Sequence, residues 1–197
     1  MGKLISKSYF AGISIGMAGI ISSYAIPAIA PFVFAIGLLI VILGDLNLYT
    51  GKIGTYPIEE KGLLDISLIL IFNIVGAWTA AQYFKLYPIT DSLQIALQYK
   101  NNQSFIQVFF SSIFCGILMY TAVTLSQKSK SREIIVILAV SAFIIAKFNH
   151  SIADSFYLSI DGINLHDIAF LFYAALGNAF GAKLLHYISN LKIEEHT

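Results

Sequence analysis

Six apolar runs, at residues 9–30, 31–43, 63–84, 105–125, 134–160 and 168–188, occupy most of the 197-residue chain. An α-helix needs about 20 consecutive apolar residues to cross the hydrocarbon of a bilayer, and most of these runs are close to that length. A chain spent on such runs folds in lipid and has no length left for a soluble catalytic domain. The charge content agrees, since Asp, Glu, Lys and Arg make up 12% of the residues where a soluble domain carries about a quarter. Mean hydropathy is +0.78. The sequence therefore predicts an all-α membrane protein of six transmembrane helices whose surroundings are the lipid bilayer.

The first run follows Lys3 and Lys7 and ends in Ala28-Ile29-Ala30, a pattern shared with cleaved signal peptides. Its apolar core is too long for one and the next run follows at once, so it is read as a membrane span. Lysine and arginine then set the orientation. With both termini cytoplasmic, the inner segments hold Lys3, Lys7, Lys52, Lys61, Lys128, Lys130, Arg132, Lys183 and Lys192, and the outer loops hold Lys85 and Lys100. Nine against two is a positive-inside bias, as expected of a plasma-membrane protein; Lys147, inside the fifth run, counts for neither side. A net charge of +1 points to no nucleic-acid partner. Cys115 is the only cysteine, so no intramolecular disulfide can form, and mid-span it reads as a small hydrophobe.

The second and fifth runs are broken at matching places. The second opens with thirteen residues, PFVFAIGLLIVIL, before Gly44-Asp45-Leu46-Asn47-Leu48-Tyr49-Thr50-Gly51-Lys52; the fifth opens with thirteen, IIVILAVSAFIIA, before Lys147-Phe148-Asn149-His150. Each half-helix climbs roughly 20 Å at 1.5 Å per residue, about two-thirds of the hydrocarbon. Asn73-Ile74-Val75-Gly76 follows the first break and Asn178-Ala179-Phe180-Gly181 the second, so an N-x-x-G motif belongs to each half. The chain reads as one transmembrane domain over residues 1–197, in halves of about 8–84 and 104–190, each of three spans and therefore entering the membrane in opposite senses. Inverted repeats with interrupted helices mark a transport site near the midplane. Irregular backbone survives at that depth only beside protein or a water-filled cavity, and the helix that resumes after each break points a partly positive N-terminus inward, which attracts anions.

NLYTGK at 47–52 resembles the interrupted second helix of the formate/nitrite transporter family, whose pattern is close to E-L-F-T-G-N, and FNHSIAD at 148–154 resembles its F-E-H-S-[IV]-A-N. FNIVGA and LGNAFGA resemble its G-N-x-x-G signatures, and all four occur in the family's order. The resemblance implies an aquaporin-like fold and a homopentamer, with one pore per protomer for small monovalent anions such as formate, nitrite, hydrosulfide, lactate or acetate. Carried over, the family's central histidine is His150; its second-span constriction is Leu48, Tyr49 and Thr50; a ring narrowing the other side is Phe148; and Asn178 lies near the pore wall. Asn149 and Lys147, beside the imidazole, join the candidates. The chain departs from the family at Asn47, Tyr49, Lys52, Lys147, Asn149 and Asp154, and at Cys115-Gly116-Ile117, where the family has C-N-W.

An ionisable side chain at mid-depth is costly and usually lines a pathway. His150 could donate a hydrogen bond to an anion or supply the proton that neutralises it, so transport should quicken as the outside becomes more acid, with protons as a second partner. Ser151-Ile152-Ala153-Asp154 reads as a capping box opening the resumed helix, which makes Ser151 and Asp154 structural, as Asn73 is. Asp45 is expected to pair with Lys52 or to cap its loop. Lys147 could snorkel, pair with an acid, or add positive charge to the anion path. Gly12 and Gly16 form a G-x-x-x-G step for close helix packing. Tyr56-Pro57-Ile58-Glu59 reads as the start of the third helix, residues 85–103 as an outer loop with an interfacial helix, and the tail from Lys192 as solvated.

Other functions fit less well. A haem-bearing subunit needs paired histidines at one depth, and His150, His166, His186 and His196 fall at different depths. No Cys/His cluster suits zinc and no P-loop or nucleophile motif is present, so the expectation is a transporter with no cofactor or metal, and no enzyme. The alternatives are an aquaporin-like pore for water or small neutral solutes, whose flux would ignore pH, and a non-conducting membrane sensor or assembly protein.

Overall fold

The computed structural model describes residues 1–191. The tail reading, with Lys192 and His196, lies outside the described residues. Within them every regular element is helical: α1 Gly2–Tyr24, α2 Ala30–Leu43, α3 Tyr49–Lys52, α4 Glu60–Phe84, α5 Asp91–Asn101, α6 Phe105–Val123 with a 3-10 turn at Leu125–Lys128, α7 Arg132–Ile145, α8 Ser151–Leu158 and α9 Leu165–Ser189. By length and composition α1, α4, α6 with its 3-10 turn, and α9 are able to cross a membrane. The second and fifth apolar runs are each split, into α2 and α3 and into α7 and α8.

The helix starts follow from capping chemistry. Ser104 and Gln107 form a capping box at α6, Asn164 and Asp167 form one at α9, and the Thr90 side chain accepts from Leu93 N–H at α5, each pairing first-turn N–H groups that the helix leaves open. Pro31 opens α2, where its missing N–H is harmless. The third long helix begins at Glu60, not at Tyr56 as the sequence suggested. Residues 56–59 instead form the approach to it, and Lys183 Nζ donates to the Tyr56 carbonyl at 2.6 Å.

Helices α1 and α4 lie side by side in the same direction, as do α6 and α9, at very short range. A Cβ added to Gly76 would stand 2.1 Å from the Tyr9 carbonyl oxygen, and one added to Gly181 2.0 Å from that of Ile113. Reciprocally, Gly12 faces the Asn73 carbonyl and Gly116 that of Asn178, at 2.0 and 2.2 Å from a Cβ. No side chain fits in either seam. The G-x-x-x-G step is therefore a packing seam as expected, and Gly116 has the same duty in the second half. Tyr24, at the end of α1, donates to the Pro88 carbonyl beyond α4, so both helices finish on the face that carries α5; Lys7 and Asp45 mark the opposite face. The largest buried side chains, among them Phe84, Phe156, Phe170 and Leu38, fill the space between helices, while Phe110, Phe114, Trp78, Phe172 and Phe180 are exposed on the outside. An apolar exterior of this kind suits hydrocarbon and not water.

Candidate functional site

The two breaks are built alike. After α2, Leu46 N–H bonds the Val41 carbonyl at 2.9 Å with Asp45 at φ 47°; after α7, Phe148 N–H bonds the Phe143 carbonyl at 2.9 Å with Lys147 at φ 55°. This is a Schellman ending, which needs one left-handed residue, and it turns the chain inward. An asparagine from the adjoining long helix then holds the loop. Asn73 Oδ1 accepts from Tyr49 N–H at 2.8 Å while its amide donates to the Ser8 carbonyl at 2.6 Å and the Asn47 carbonyl at 2.8 Å. Asn178 repeats the arrangement, accepting from Ser151 N–H at 2.9 Å and donating to the carbonyls of Ser112 at 2.9 Å and Asn149 at 3.0 Å. Buried backbone groups that would otherwise be unpaired are thereby satisfied. Asn178, a pore candidate by resemblance, occupies the clamp that Asn73 forms at the first break.

His150 stands at the head of α8, fully buried, opposite Thr50 in α3. Its Nδ1 accepts from Ala153 N–H at 3.1 Å and its Nε2 lies 2.9 Å from Thr50 Oγ1. A backbone N–H can only donate, so Nδ1 carries the lone pair and the proton of the neutral ring is on Nε2. That N–H donates to Thr50, whose own hydroxyl proton is left free to donate. The geometry thus leaves one free donor here, the Thr50 O–H, with the His150 Nε2–H spent on holding it. Phe143 stacks on the imidazole at 5.4 Å and Phe34 meets Phe143 edge-on at 6.0 Å. Leu48, also buried, precedes Thr50 on the other side.

Two cavities flank this pair. One of about 390 Å³ opens on the Lys7 face and is lined by Leu48, Gly51, Lys52, Tyr56, Val123 and Arg132. The other, of about 200 Å³, opens beside α5 and is lined by Lys100, Phe143, Lys147, Phe148, Asp154 and Tyr157.

The expectations for the start of α8 and for the partner of Asp45 need correction. The cap of α8 is His150 and not Ser151: the hydroxyl of Ser151 has no hydrogen-bond partner among the described residues, and Asp154 forms an ion pair with Lys100 instead of closing a capping box. Asp45 pairs with Lys7 rather than Lys52. Phe148 stacks on Phe114 at 5.3 Å, and the ring against His150 is Phe143. Tyr49 turns its hydroxyl to the Ala175 carbonyl of α9 at 3.1 Å. Asn149 is buried, donating to Gln103 Oε1 and Ser111 Oγ at 3.1 and 2.7 Å. Lys147 is exposed, its ammonium 4.7 Å from the centre of the Tyr99 ring.

Lys100 was missed as anything but an outer-loop cation. The signal was there: Leu93, Leu97 and Lys100 follow at i, i+4 and i+7, and all three are buried along one face of α5. Phe143 carried no mark beyond its hydrophobicity.

A family model described as formate/nitrite transporter matches residues 1–190. Among solved structures, the chain is similar to one described as an FNT family ion channel, at 20% identity and a TM-score of 0.76 over 96% of this chain and 89% of that one. It is also similar to a pentameric formate channel with formate bound, at 19% identity and a TM-score of 0.79 over 95% and 94%. No curated protein sequence matches significantly.

Proposed function

The chain belongs to the formate/nitrite transporter family, and from that premise we propose that it is a membrane channel for small monovalent anions carried with a proton past His150. The substrate class is that of formate, nitrite, hydrosulfide, and lactate or acetate. The arrangement that carries this reading is the hydrogen bond from His150 Nε2 to Thr50 Oγ1 at 2.9 Å, which leaves the Thr50 O–H free to donate, buried between two cavities. A bare anion at an apolar constriction loses hydration that one donor replaces only in part, whereas the neutral acid crosses far more cheaply. The capped tautomer of His150 supports a positioning role: the imidazole turns the Thr50 hydroxyl toward the acid, and the proton travels with the acid.

Six crossings in two inverted three-helix repeats fit the two same-direction pairs, α1 with α4 and α6 with α9, and the matching clamps at the two breaks. A homopentamer fits the exposed aromatic faces of α6 and α9. Cytoplasmic termini in the plasma membrane follow from the lysine bias. Leu48 and Phe143 narrow the path on either side of the His150–Thr50 hydrogen bond, with Phe148 and Lys147 at the rim of the α5 cavity and Tyr49, Asn149 and Asn178 fixing its walls.

The test is flux of these acids into liposomes across pH, with wild type and His150→Asn. Wild-type flux is expected to rise as the outside becomes more acid, and the variant to lose about tenfold or more, the equivalent of one well-placed hydrogen bond. A wild type that moves none of them, or moves only neutral solutes at a pH-independent rate, overturns the proposal.

A further inference from the structure

The two cavities differ in charge as well as in size. Beside α5 the buried cation, Lys100, is cancelled by Asp154. On the Lys7 face, Lys52 at the end of α3 and Arg132 in the first turn of α7 line the larger cavity from two separate elements. Both are half-buried, and neither side chain has a hydrogen bond or ion pair among the described residues. The Nε of Arg132 is buried with no acceptor. Asp45 is the one carboxylate in this lining, and it is held by Lys7 at the exposed rim; Glu133, next to Arg132, is exposed and does not line the cavity. Two uncompensated cations in a partly desolvated wall repel each other and favour a guest that carries two negative charges. At about 390 Å³ the cavity falls within the range of small-molecule sites, about 300–1,000 Å³, and has far more room than a formate or an acetate needs.

We propose that this cavity binds the dianionic phosphoryl group of a phosphate or phosphate monoester, held by the planar guanidinium of Arg132 and the point charge of Lys52, and that the bound dianion closes the pore from the Lys7 face. Leu48 and Gly51, on either side of Thr50 in the chain, line the same cavity, so a guest seated there stands between that face and the Thr50 hydroxyl. A monovalent acid brings one charge to two cations and leaves readily, whereas a phosphoryl group matches both. The binding site follows from the cavity and its charges; its effect on flux rests on the transport reading above. Free phosphate and the headgroup of phosphatidic acid present the same chemistry.

Inorganic phosphate is the probe, titrated calorimetrically into the protein in phosphatidylcholine nanodiscs at fixed ionic strength. The wild type should bind one phosphate per protomer, with sulfate competing and acetate and chloride not. Lys52→Gln and Arg132→Gln should each weaken binding about tenfold or more, the equivalent of one charge-assisted hydrogen bond. Lys128→Gln/Lys130→Gln removes two cations that do not line the cavity and should change the affinity by less than about threefold. Wild-type protein that binds no phosphate overturns the inference whether or not the variants assemble, as does a Lys128→Gln/Lys130→Gln protein that loses as much affinity as the cavity variants. Phosphatidic acid added to the nanodiscs separates the sources: it competes with phosphate if the headgroup reaches the cavity and leaves the titration unchanged if only a soluble ion enters, and the site stands in both cases. Formate flux into liposomes with phosphate on both sides should fall along the binding curve; flux that continues unslowed at saturating phosphate overturns the closing role. Absence of any acid flux overturns the transport reading, and the titration still decides the site.

Discussion

Between Leu43 and Tyr49 the chain leaves α2 and restarts as α3; between Ile145 and Ser151 it leaves α7 and restarts as α8. Both turns use the same backbone bonds, both are held by an asparagine with three hydrogen bonds, and both rest on a glycine seam. The side chains are not repeated. Where the first break presents Leu48, the second presents His150, and where the first carries Lys52, the second carries Asp154. The ion pairs differ most: Lys7–Asp45 lies at the surface with the aspartate side chain 85% exposed, and Lys100–Asp154 lies inside with its aspartate 2% exposed. A duplicated backbone with divergent side chains separates what holds the breaks open from what meets a solute there.

Equal architecture predicts equal damage when the clamp is removed. Asn73→Leu and Asn178→Leu each strip partners from three buried backbone groups, at about 1–3 kcal/mol apiece, so each should lower stability by about 3–9 kcal/mol or prevent assembly. Melting of the detergent-purified proteins, followed by size-exclusion chromatography after heating, measures this. A large asymmetry between the two variants would mean that the halves are not held by equivalent means.

The ion pairs should behave unequally. Lys100→Met strands a buried carboxylate and should cost about 3–5 kcal/mol, most of which Lys100→Met/Asp154→Leu should recover, because two apolar groups leave no charge to solvate. Lys7→Met should leave melting unchanged, since a pair this exposed is screened by water and salt. If the double variant stays as unstable as the single one, the loss belongs to packing around Lys100 and not to its charge.

How much of this was legible depends on periodicity and on partners distant in sequence. The two breaks and the two N-x-x-G motifs could be read because apolar runs stop abruptly and repeat, and the solved-structure similarities agree with an all-helical channel fold. The first residue of α4 was misplaced because Pro57 is as good a turn residue as a helix opener. S-x-x-D is a local pattern that places Asp154 in a cap, while its partner Lys100 lies 54 positions away, on the interfacial helix of the outer loop. Side-chain direction was equally hidden: Phe143 and Phe148 are five residues apart in a stretch of similar hydrophobicity, and only the turn after α7 decides which ring meets the imidazole.

The smallest contrast concerns the left-handed residues that end α2 and α7. A long β-carbon-bearing side chain such as Lys147 is strained at φ 55°, whereas an aspartate tolerates that conformation and can bond locally. Lys147→Gly relieves the strain at the expense of greater freedom in the unfolded chain, so the net gain should be about 1 kcal/mol or less. Asp45→Gly should bring no gain, because the residue it replaces is already suited to the turn and holds Lys7. The two variants, melted side by side, ask whether the second break tolerates strain that the first does not. If Lys147→Gly fails to stabilise, the contact of the Lys147 ammonium with the Tyr99 ring offsets the strain, and Tyr99→Leu should then expose it as a loss of similar size.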